Sequence, residues 1–369
     1  MRLIYDARFT RTQFHDGISR YGSYLLGSAL QQAPARGIEL TAVISDPAQL
    51  RLLPPDLPHL KLSSPVSVRE PLIVAELNRL GADVVFSPMQ VLGVGSPLRR
   101  RYRLILTLHD LIYYDHPEPP HDLPQALRLA WRAYHSAYWP QRVLLDRADA
   151  VAAVSHTTAD LIARHRLTRR PVHVIPNAAT PPAEPPGRTP GHAARSLVYM
   201  GAFLPYKNVE TLVRALQQLP GYTLHILSCI APEREAQLAA LAPAQAQVVF
   251  HRGVSDEEYH RLIDGATALV TTSRAEGFGL PVVEAMARGC PVAVSDLPIF
   301  RELAGDAAQY FDPDSPTDVA RAIRRLEDAA SWARAAARGR EEALAYSWDS
   351  SAAALLDLAE QLHRDRLQF

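Results

Sequence analysis

The sequence predicts an α/β fold made of two doubly wound parallel-sheet domains. Three observations carry this prediction: short apolar runs alternate with helical patterns from the first residues, a proline-rich stretch interrupts the alternation, and the alternation then restarts. Alternating strands and helices place helices on both faces of a parallel sheet. With 369 residues, 47% of them hydrophobic, the chain can bury two cores.

The first domain is predicted to span residues 1–180. Its predicted strands are short apolar runs at 3–5, 40–44, 84–86, 104–108, 151–154 and 172–175. Apolar residues recur at helical spacing over 18–30 and 127–145. The second of these helices carries four aromatic residues, which either pack into the core or form a wall for an acceptor: Trp131, Tyr134, Tyr138 and Trp139.

A proline-rich linker is predicted at 181–195, because prolines stiffen the chain there and no hydrophobic period survives. The second domain follows at 196–349. Its predicted strands lie at 197–200, 224–227, 248–250, 268–272 and 291–294. From 315 to 367 the pattern is helical, with a break at Ser347-Trp-Asp349, and we expect the last segment, 350–369, to pack back on the first domain.

Composition and charge exclude several classes of protein. Lys plus Arg and Asp plus Glu each number 39, so no field of one sign favours nucleic acid. The two cysteines, Cys229 and Cys290, lie in apolar stretches and are expected to be small buried hydrophobes. The N-terminus lacks the pattern of a signal peptide, and no apolar run is long enough to span a membrane. A cytoplasmic protein is therefore expected.

The most informative segment lies directly after the predicted strand at 268–272. Gly277 and Gly279 permit a tight turn whose backbone N–H groups are exposed. Pro281 suits the first turn of a helix, and Gly289 suits its end. The sequence therefore predicts a loop that runs into the N-terminus of a helix.

The N–H groups of Phe278, Gly279 and Leu280 lie at the positive end of this helix and predict a binding site for a diphosphate. Glu276 lies on the loop before it, and Glu284 lies one turn into the helix. Carboxylates in these positions can accept hydrogen bonds from sugar and ribose hydroxyls. The alternative is structural: Glu284 complements the helix dipole and Glu276 caps the turn.

A second motif follows the predicted strand at 197–200, where a turn at Gly201 leads to Lys207 and Asn208. Asn208 suits the N-cap of the next helix. Lys207 can face phosphate oxygens and offset the charge that develops on a leaving group. An isolated lysine in this position would instead be a solvated surface residue.

The first domain places polar residues at the carboxyl ends of two predicted strands. His109 and Asp110 follow the strand at 104–108, where His109 can hydrogen-bond a sugar hydroxyl or serve as a structural histidine. Gly17 lies between the first strand and the first helix and lets the backbone approach a ligand closely. We expect both groups to face a cleft between the two domains.

Together these motifs resemble glycosyltransferase family 4, a family of retaining enzymes with the GT-B fold, over nearly the whole chain. The motifs that carry the resemblance are Asp6-Ala-Arg, Gly17-Ile-Ser-Arg-Tyr, Thr107-Leu-His-Asp, Pro176-Asn, Gly201 with Pro205-Tyr-Lys-Asn, and Glu276-Gly-Phe-Gly-Leu-Pro with Glu284. The resemblance implies two Rossmann-like domains that face a central cleft, with the C-terminal helix crossing back to the N-terminal domain.

The resemblance also implies roles for individual residues. Glu284 would bind the ribose, Glu276 the transferred sugar near its 3- and 4-hydroxyls, and the amides of residues 278–280 the diphosphate. Lys207 would bind the diphosphate, and His109 would lie near the sugar 6-hydroxyl. Gly17 would lie beneath the diphosphate, and Asp110 would support the site rather than act in it.

The chain departs from the family pattern in the phosphate clamp. Many members carry an arginine directly after the glycine equivalent to Gly201, but this chain has Ala202. The missing charge is then absent or supplied from elsewhere, with Arg20 and Arg274 as candidates. The first loop departs as well, because Asp16 stands where many members have another glycine.

The implied activity is retaining transfer of a hexose from a nucleotide-diphosphate sugar, with GDP-mannose as the first choice of donor and a UDP-hexose as the second. A glycan or a lipid-linked glycan is the expected acceptor, in envelope or polysaccharide biosynthesis. No metal or cofactor is expected, and Asp312-Pro-Asp314 is predicted to be a turn. The basic run 99–103 is either a solvated turn or a peripheral contact with an anionic lipid or glycan.

Two competing functions remain. A dinucleotide-dependent oxidoreductase would suit the same fold, but Gly93-Val-Gly95 lacks the third glycine and the helix of the dinucleotide fingerprint. A sugar-nucleotide-binding partner subunit without catalysis is the other, and Ala202 favours it.

Overall fold

The structure is a computed structural model that describes residues 1–96, 98–118, 125–180 and 194–367. It divides into two compact units: unit 1 is Met1–Ala178 with the C-terminal segment that begins at Ser347, and unit 2 is Ala179–Tyr346. Each unit holds a parallel sheet flanked by helices, which confirms the predicted pair of Rossmann-like domains. The predicted linker at 181–195 lies almost wholly outside the described residues.

The sheet of unit 1 has seven strands in the order β3-β2-β1-β4-β5-β6-β7, and every pairing is parallel. The strands are β1 Arg2–Asp6, β2 Glu39–Ile44, β3 His59–Lys61, β4 Val84–Ser87, β5 Arg103–Leu108, β6 Ala150–Ala153 and β7 Val172–Val174. All four residues of β4 and of β6 are buried. Burial on both faces explains why these central strands are continuous apolar runs.

Seven α-helices belong to the described part of unit 1. They are α1 Gly17–Gln32, α2 Ile73–Arg79, α3 Ile112–Asp115, α4 Gln125–His135, α5 Trp139–Leu145, α6 His156–Arg164 and α14 Trp348–Leu367. Helix α14 packs against α1: the rings of Tyr24 and Trp348 stack at 5.6 Å, and Ser351 Oγ donates to the Pro176 carbonyl oxygen at 2.8 Å. The expectation that the C-terminal helix returns to the first domain is confirmed.

The single helix predicted at 127–145 was wrong, because α4 ends at His135 and α5 begins at Trp139. Pro140 lies in the first turn of α5. Proline is tolerated there, whereas in the middle of a helix it would break the hydrogen-bond pattern. Trp131 and Tyr134 therefore lie on α4, Trp139 begins α5, and Tyr138 occupies the N-cap position between the two helices. Tyr134 faces inward and donates to Gln141 Oε1 at 2.8 Å, whereas Trp139 is 65% exposed.

The sheet of unit 2 has six parallel strands in the order β10-β9-β8-β11-β12-β13. They are β8 Ser196–Tyr199, β9 Thr223–Ile226, β10 Gln247–Phe250, β11 Ala268–Thr271, β12 Val292–Ser295 and β13 Gln309–Phe311. The helices of this unit are α7 Val209–Ala215, α8 Pro232–Leu241, α9 Asp256–Gly265, α10 Leu280–Ala287, α11 Pro298–Ala304, α12 Pro316–Arg324 and α13 Ala329–Ala343. The segment 315–367 is three helices, α12 to α14. The break predicted at Ser347 to Asp349 is confirmed, because α13 ends at Ala343 and α14 begins at Trp348, whereas the break before α13, which Asp328 caps, was not predicted.

Two further sequence expectations meet different outcomes. Cys290 is buried as expected, but Cys229 is exposed, because it lies on the loop beyond β9 rather than within the strand. Among the described residues, no helix combines the length and the apolar character that a bilayer crossing requires.

A histidine pair at the edge of the unit 2 sheet predicts acid sensitivity of the fold. His225 Nδ1 and His251 Nε2 lie 3.0 Å apart, so the two imidazoles share one proton. Burial lowers the pKa of His225 below its ordinary 6.5, and the neighbouring His251 and Arg261 lower it further, against an opposing effect of Glu258. The folded state therefore favours the neutral form of His225.

Because the pKa of His225 is lower in the folded than in the unfolded chain, its contribution to stability is present above pH 6.5 and is lost as the pH falls. We expect the free energy of unfolding to fall between pH 7.5 and pH 5.5, and to fall less in a His225→Gln variant. Urea unfolding at both pH values measures this difference. Equal falls in the two proteins would contradict the assignment.

Candidate functional site

The strand order of unit 2 indicates where a ligand would bind. The order reverses between β8 and β11, because the chain runs outward from β8 to β10 and then continues from β11 to β13 on the other side. Ligands of such sheets bind beyond the carboxyl ends of the strands at a reversal. The loops that follow β8 and β11 contain Lys207 and Glu276. The topology therefore brings the two most informative motifs together.

Lys207 and Glu276 form an ion pair in this position. Lys207 Nζ donates to Glu276 Oε1 at 2.6 Å, and Ser273 Oγ donates to the same oxygen at 2.8 Å. The side chains of Lys207 and Glu276 are 16% and 12% exposed, so both charges are largely removed from water. Lys207 is therefore not a solvated surface residue, and Glu276 does more than cap its turn.

Hydrogen bonds to backbone carbonyl oxygens hold the two loops against each other. Thr272 Oγ1 donates to the Asn208 carbonyl oxygen at 2.8 Å, and the Arg274 N–H donates to the Tyr206 carbonyl oxygen at 2.7 Å. These bonds fix the backbone on both sides of the ion pair. The position of Lys207 relative to Glu276 is thus set by the fold and not only by their attraction.

Helix α10 begins beside this pair, as the sequence predicts. Its first residue is Leu280, Pro281 lies in the first turn, and Gly289 follows the end with a φ of +70°. The N-cap is Gly279, which has no side chain to satisfy the first N–H groups of the helix. Pro281 has no N–H, and the Val282 N–H donates to the Gly279 carbonyl oxygen at 2.9 Å, so the predicted anion site rests on the N–H groups of residues 278–280 and on the helix dipole.

Gly279 is required by both backbone conformation and space. Its φ is +102°, and a β-carbon there would lie 2.7 Å from Phe300 Cε1. We expect Gly279→Ala to lower the free energy of unfolding by about 1–3 kcal/mol and to weaken phosphate binding at the helix start. Urea unfolding and phosphate titration measure the two effects. Gly265→Ala is the matched control, because a β-carbon at Gly265 meets nothing within 4 Å; equal stability of the two variants would contradict the argument.

Glu284 lies one turn into α10 and has a partner that sequence reasoning missed. The hydroxyl of Tyr259, on α9, donates to Glu284 Oε2 at 2.7 Å. Tyr259 is 2% exposed and lies 25 positions earlier in the chain. On an amphipathic helix such a tyrosine is indistinguishable from a core residue in the sequence alone.

Other residues of the β8 motif have structural roles. Gly201 lets the Tyr199 side chain pack closely, since a β-carbon there would lie 2.9 Å from the Tyr199 hydroxyl oxygen. Asn208 does occupy the N-cap position of α7, but the proposed side-chain cap was wrong. Its φ is +52°, and its side chain bonds the Thr211 hydroxyl and the Pro313 carbonyl oxygen instead of a helix N–H.

Arg274, one of the two candidates for the missing clamp arginine, is engaged elsewhere. Its guanidinium forms an ion pair with Asp314 at 2.6 Å. Asp312 Oδ1 accepts the N–H of Asp314 at 2.9 Å, which is the geometry of a turn, and Ser315 then caps α12. The Asp312-to-Asp314 segment is thus a turn that holds Arg274.

Unit 1 places Gly17 at the first position of α1. Asp16 caps this helix by accepting the Ser19 N–H at 2.8 Å, and Arg11 pairs with Asp16 at 2.6 Å. A β-carbon on Gly17 would meet nothing within 4 Å, so the backbone is open at this point. Arg20 lies one turn further along α1 and is half-buried.

His109 lies at the carboxyl end of β5 with a defined tautomer. Its Nε2 is 2.8 Å from the Pro88 carbonyl oxygen, which can only accept, so Nε2 carries a proton. Burial lowers the pKa of His109, although the bond to Pro88 opposes this, and the imidazole is neutral near pH 7. Nδ1 is then an acceptor. Asp110 Oδ1 accepts the Ile112 N–H at 3.0 Å and supports the turn before α3.

Two protein-family models match this chain. A family model described as "Glycosyltransferase Family 4" matches residues 27–181, and one described as "Glycosyl transferases group 1" matches residues 190–342. The two matches together span most of the chain, one in each unit. The chain belongs to glycosyltransferase family 4.

The individual relatives share only modest sequence identity with this chain. The chain is 26% identical over 212 residues to the serotype-specific mannosyltransferase WbdA of Escherichia coli, covering 49% of this chain and 25% of that one. It is 30% identical over 228 residues to a GDP-mannose:cellobiosyl-diphosphopolyprenol alpha-mannosyltransferase of Xanthomonas campestris, covering 56% and 59%. The chain spans about half the length or less of the curated relatives that it matches first.

Among solved structures, sucrose-phosphate synthase from Thermosynechococcus elongatus superposes with a TM-score of 0.73 and 20% sequence identity, over 99% of each chain. A likeness at this identity establishes the fold. Because the chain belongs to this family of glycosyltransferases, the alternative of a dinucleotide-dependent oxidoreductase is not supported.

Proposed function

We propose that the chain is a retaining glycosyltransferase that moves a hexose from a nucleotide-diphosphate sugar to a glycan or lipid-linked acceptor in envelope polysaccharide synthesis. The observation that carries this proposal is the desolvated Lys207–Glu276 pair beside the uncapped start of α10, at the strand-order reversal of unit 2. A cation and helix N–H groups suit the diphosphate, and a carboxylate suits the sugar hydroxyls.

The proposed reaction needs no protein nucleophile. The bond between the sugar C1 and the diphosphate oxygen breaks, and its electron pair passes to the diphosphate, where Lys207 and the α10 amides stabilise the charge. The acceptor oxygen bonds C1 on the same face, and its proton passes to the leaving diphosphate. Glu276 holds the sugar, Glu284 holds the ribose, and neutral His109 accepts a hydrogen bond from a sugar hydroxyl. No metal or cofactor is needed.

We propose GDP-mannose as the donor and a UDP-hexose as the alternative. The name of the Xanthomonas relative, which specifies GDP-mannose and a polyprenol-linked acceptor, supports the first choice. A thermal-shift screen against GDP-mannose, UDP-glucose, UDP-galactose and UDP-N-acetylglucosamine tests it, because a ligand that binds only the folded state raises Tm. Transfer with retention of the anomeric configuration, measured by NMR, supports the reaction, and inversion contradicts it.

A partner subunit that binds the donor without catalysis is the second candidate. Ala202 in the clamp and the engagement of Arg274 by Asp314 favour it. Binding of donor with no turnover on any lipid-linked or soluble glycan would support this candidate over the transferase.

We further propose that unit 1 contacts the membrane peripherally through α4 and α5. Leu129, Trp139 and Val143 are 67%, 65% and 57% exposed, and residues 125–145 include three arginines and no carboxylate. Exposed apolar and aromatic side chains among cations favour an anionic membrane surface. Of the basic run 99–103, Arg100 and Arg103 pair with Asp149 and are less suited to this role.

Sedimentation with phosphatidylglycerol-containing vesicles tests the membrane contact. Binding should fall in a Leu129→Ser, Trp139→Ser double variant and should be unchanged in Leu344→Ser, since Leu344 is a 77% exposed leucine of unit 2. Equal binding of all three proteins would contradict the proposed surface.

A further inference from the structure

Tyr259 is a buried polar side chain that the proposed reaction does not yet use. It lies on α9, which Ser255 caps by accepting the Glu258 N–H at 3.2 Å. Its ring is 2% exposed, and its hydroxyl reaches Glu284 Oε2 at 2.7 Å. Helix α9 follows β10 and α10 follows β11, so both helices begin at the carboxyl edge of the parallel sheet, and Tyr259 and Glu284 each lie near the start of their helix.

We propose that Tyr259 is a positioning residue that fixes the Glu284 carboxylate for the ribose of the donor nucleotide; this inference rests on the proposed function. A carboxylate has about four lone-pair positions and accepts a phenol and ribose hydroxyls together. A short bond to a charged acceptor restricts rotation of the glutamate side chain. Without it, Glu284 must lose that freedom when the nucleotide binds.

An orienting role for Tyr259 and a merely structural one have different consequences for nucleotide binding. If the hydroxyl of Tyr259 only satisfies a buried group, its removal changes stability and affects all nucleotides alike. If it orients Glu284, its removal weakens the binding of only those nucleotides whose ribose hydroxyls reach that carboxylate. The difference between a ribonucleotide and its dideoxy counterpart therefore isolates the role.

The experiment is calorimetric titration of GDP and 2′,3′-dideoxy-GDP into the full chain, with the UDP pair in parallel. The variants are Tyr259→Phe, Glu284→Gln and their double variant. Tyr222→Phe is the matched control, because Tyr222 is also 2% exposed and its hydroxyl also bonds a carboxylate, Glu327, at 3.1 Å. Melting temperatures of all variants separate folding defects from binding defects.

We expect Tyr259→Phe to lower the affinity for the ribonucleotide about 10-fold, which corresponds to the loss of one hydrogen bond to a charged group. The affinity for the dideoxy form should fall less than about 2-fold. Tyr222→Phe should leave both unchanged, and Tyr259→Phe should add no further ribose effect in the Glu284→Gln background. Equal weakening of both nucleotides, or weakening of neither, would overturn the inference alone. Failure of the unmodified protein to bind any nucleoside diphosphate would overturn the proposed function with it.

Discussion

Replacing Lys207 by Ala is expected to lower the rate of sugar transfer by about 100- to 1000-fold, the usual loss when one group that stabilises developing charge is removed. Lys207 Nζ is a single compact charge that the β8 loop holds 2.6 Å from Glu276. Its removal takes away the cation that would neutralise the departing diphosphate. Steady-state rates with saturating acceptor, together with donor titration, separate the effect on chemistry from the effect on binding.

The chain offers a matched control for this substitution. It contains two lysines, Lys61 and Lys207, and Lys61 lies on the exposed strand β3 of unit 1. Lys61→Ala should leave transfer unchanged. Lys207→Ala leaves the largely buried Glu276 without its ion-pair partner. The folding of this variant must therefore be checked by circular dichroism and thermal unfolding. Undiminished transfer by a folded Lys207→Ala variant would remove Lys207 from the reaction.

Replacing Glu276 by Gln is expected to lower transfer about 100-fold while leaving the affinity for a nucleoside diphosphate unchanged or higher. Glu276 is assigned to the sugar, and a carboxylate beside a bound diphosphate repels it. Removing the charge therefore weakens binding of the sugar without weakening binding of the nucleotide. Titration of GDP and of GDP-mannose, with transfer rates on the same preparations, measures both effects.

The control for Glu276→Gln is Glu235→Gln, which removes another ion-paired carboxylate of unit 2, the partner of Arg252. It should change neither transfer nor binding. An equal loss of GDP and GDP-mannose affinity in Glu276→Gln would assign the carboxylate to the nucleotide or to the fold rather than to the sugar.

The sequence predicted the central strands well because they are buried on both faces. Strands such as β6 and β11 contain four buried residues each and stand out as apolar runs. The strand that was missed, β3, has three residues and lies at an outer edge of its sheet. An exposed strand such as His59–Lys61 has no apolar run to detect.

The break between α4 and α5 was missed because no glycine interrupts the helical spacing. The available signal was Pro140, which occurs preferentially in the first turn of a helix and so marks a new start. In the same way, the helical pattern alone did not separate α12 from α13, where Asp328 caps the new helix.

The sequence predicted the local motifs of the candidate site but not the contacts between them. The loop-to-helix motif predicts an anion site from local rules, and the start of α10 lies where those rules place it. Contacts between residues far apart in the chain, such as Lys207 with Glu276 and Tyr259 with Glu284, depend on strand order. Strand order is a property of the folded sheet, and no local pattern encodes it.

Protection of Lys207 from an amine-reactive label tests the central claim, a donor diphosphate bound at this side chain, most directly. Mass spectrometry can follow Lys207 and Lys61 separately, and Lys61 serves as the internal control. Nucleotide sugars and nucleoside diphosphates should slow labelling of Lys207 and leave that of Lys61 unchanged, whereas nucleosides should affect neither. Unchanged labelling of Lys207 with every GDP- and UDP-linked compound would contradict the assignment of the donor site.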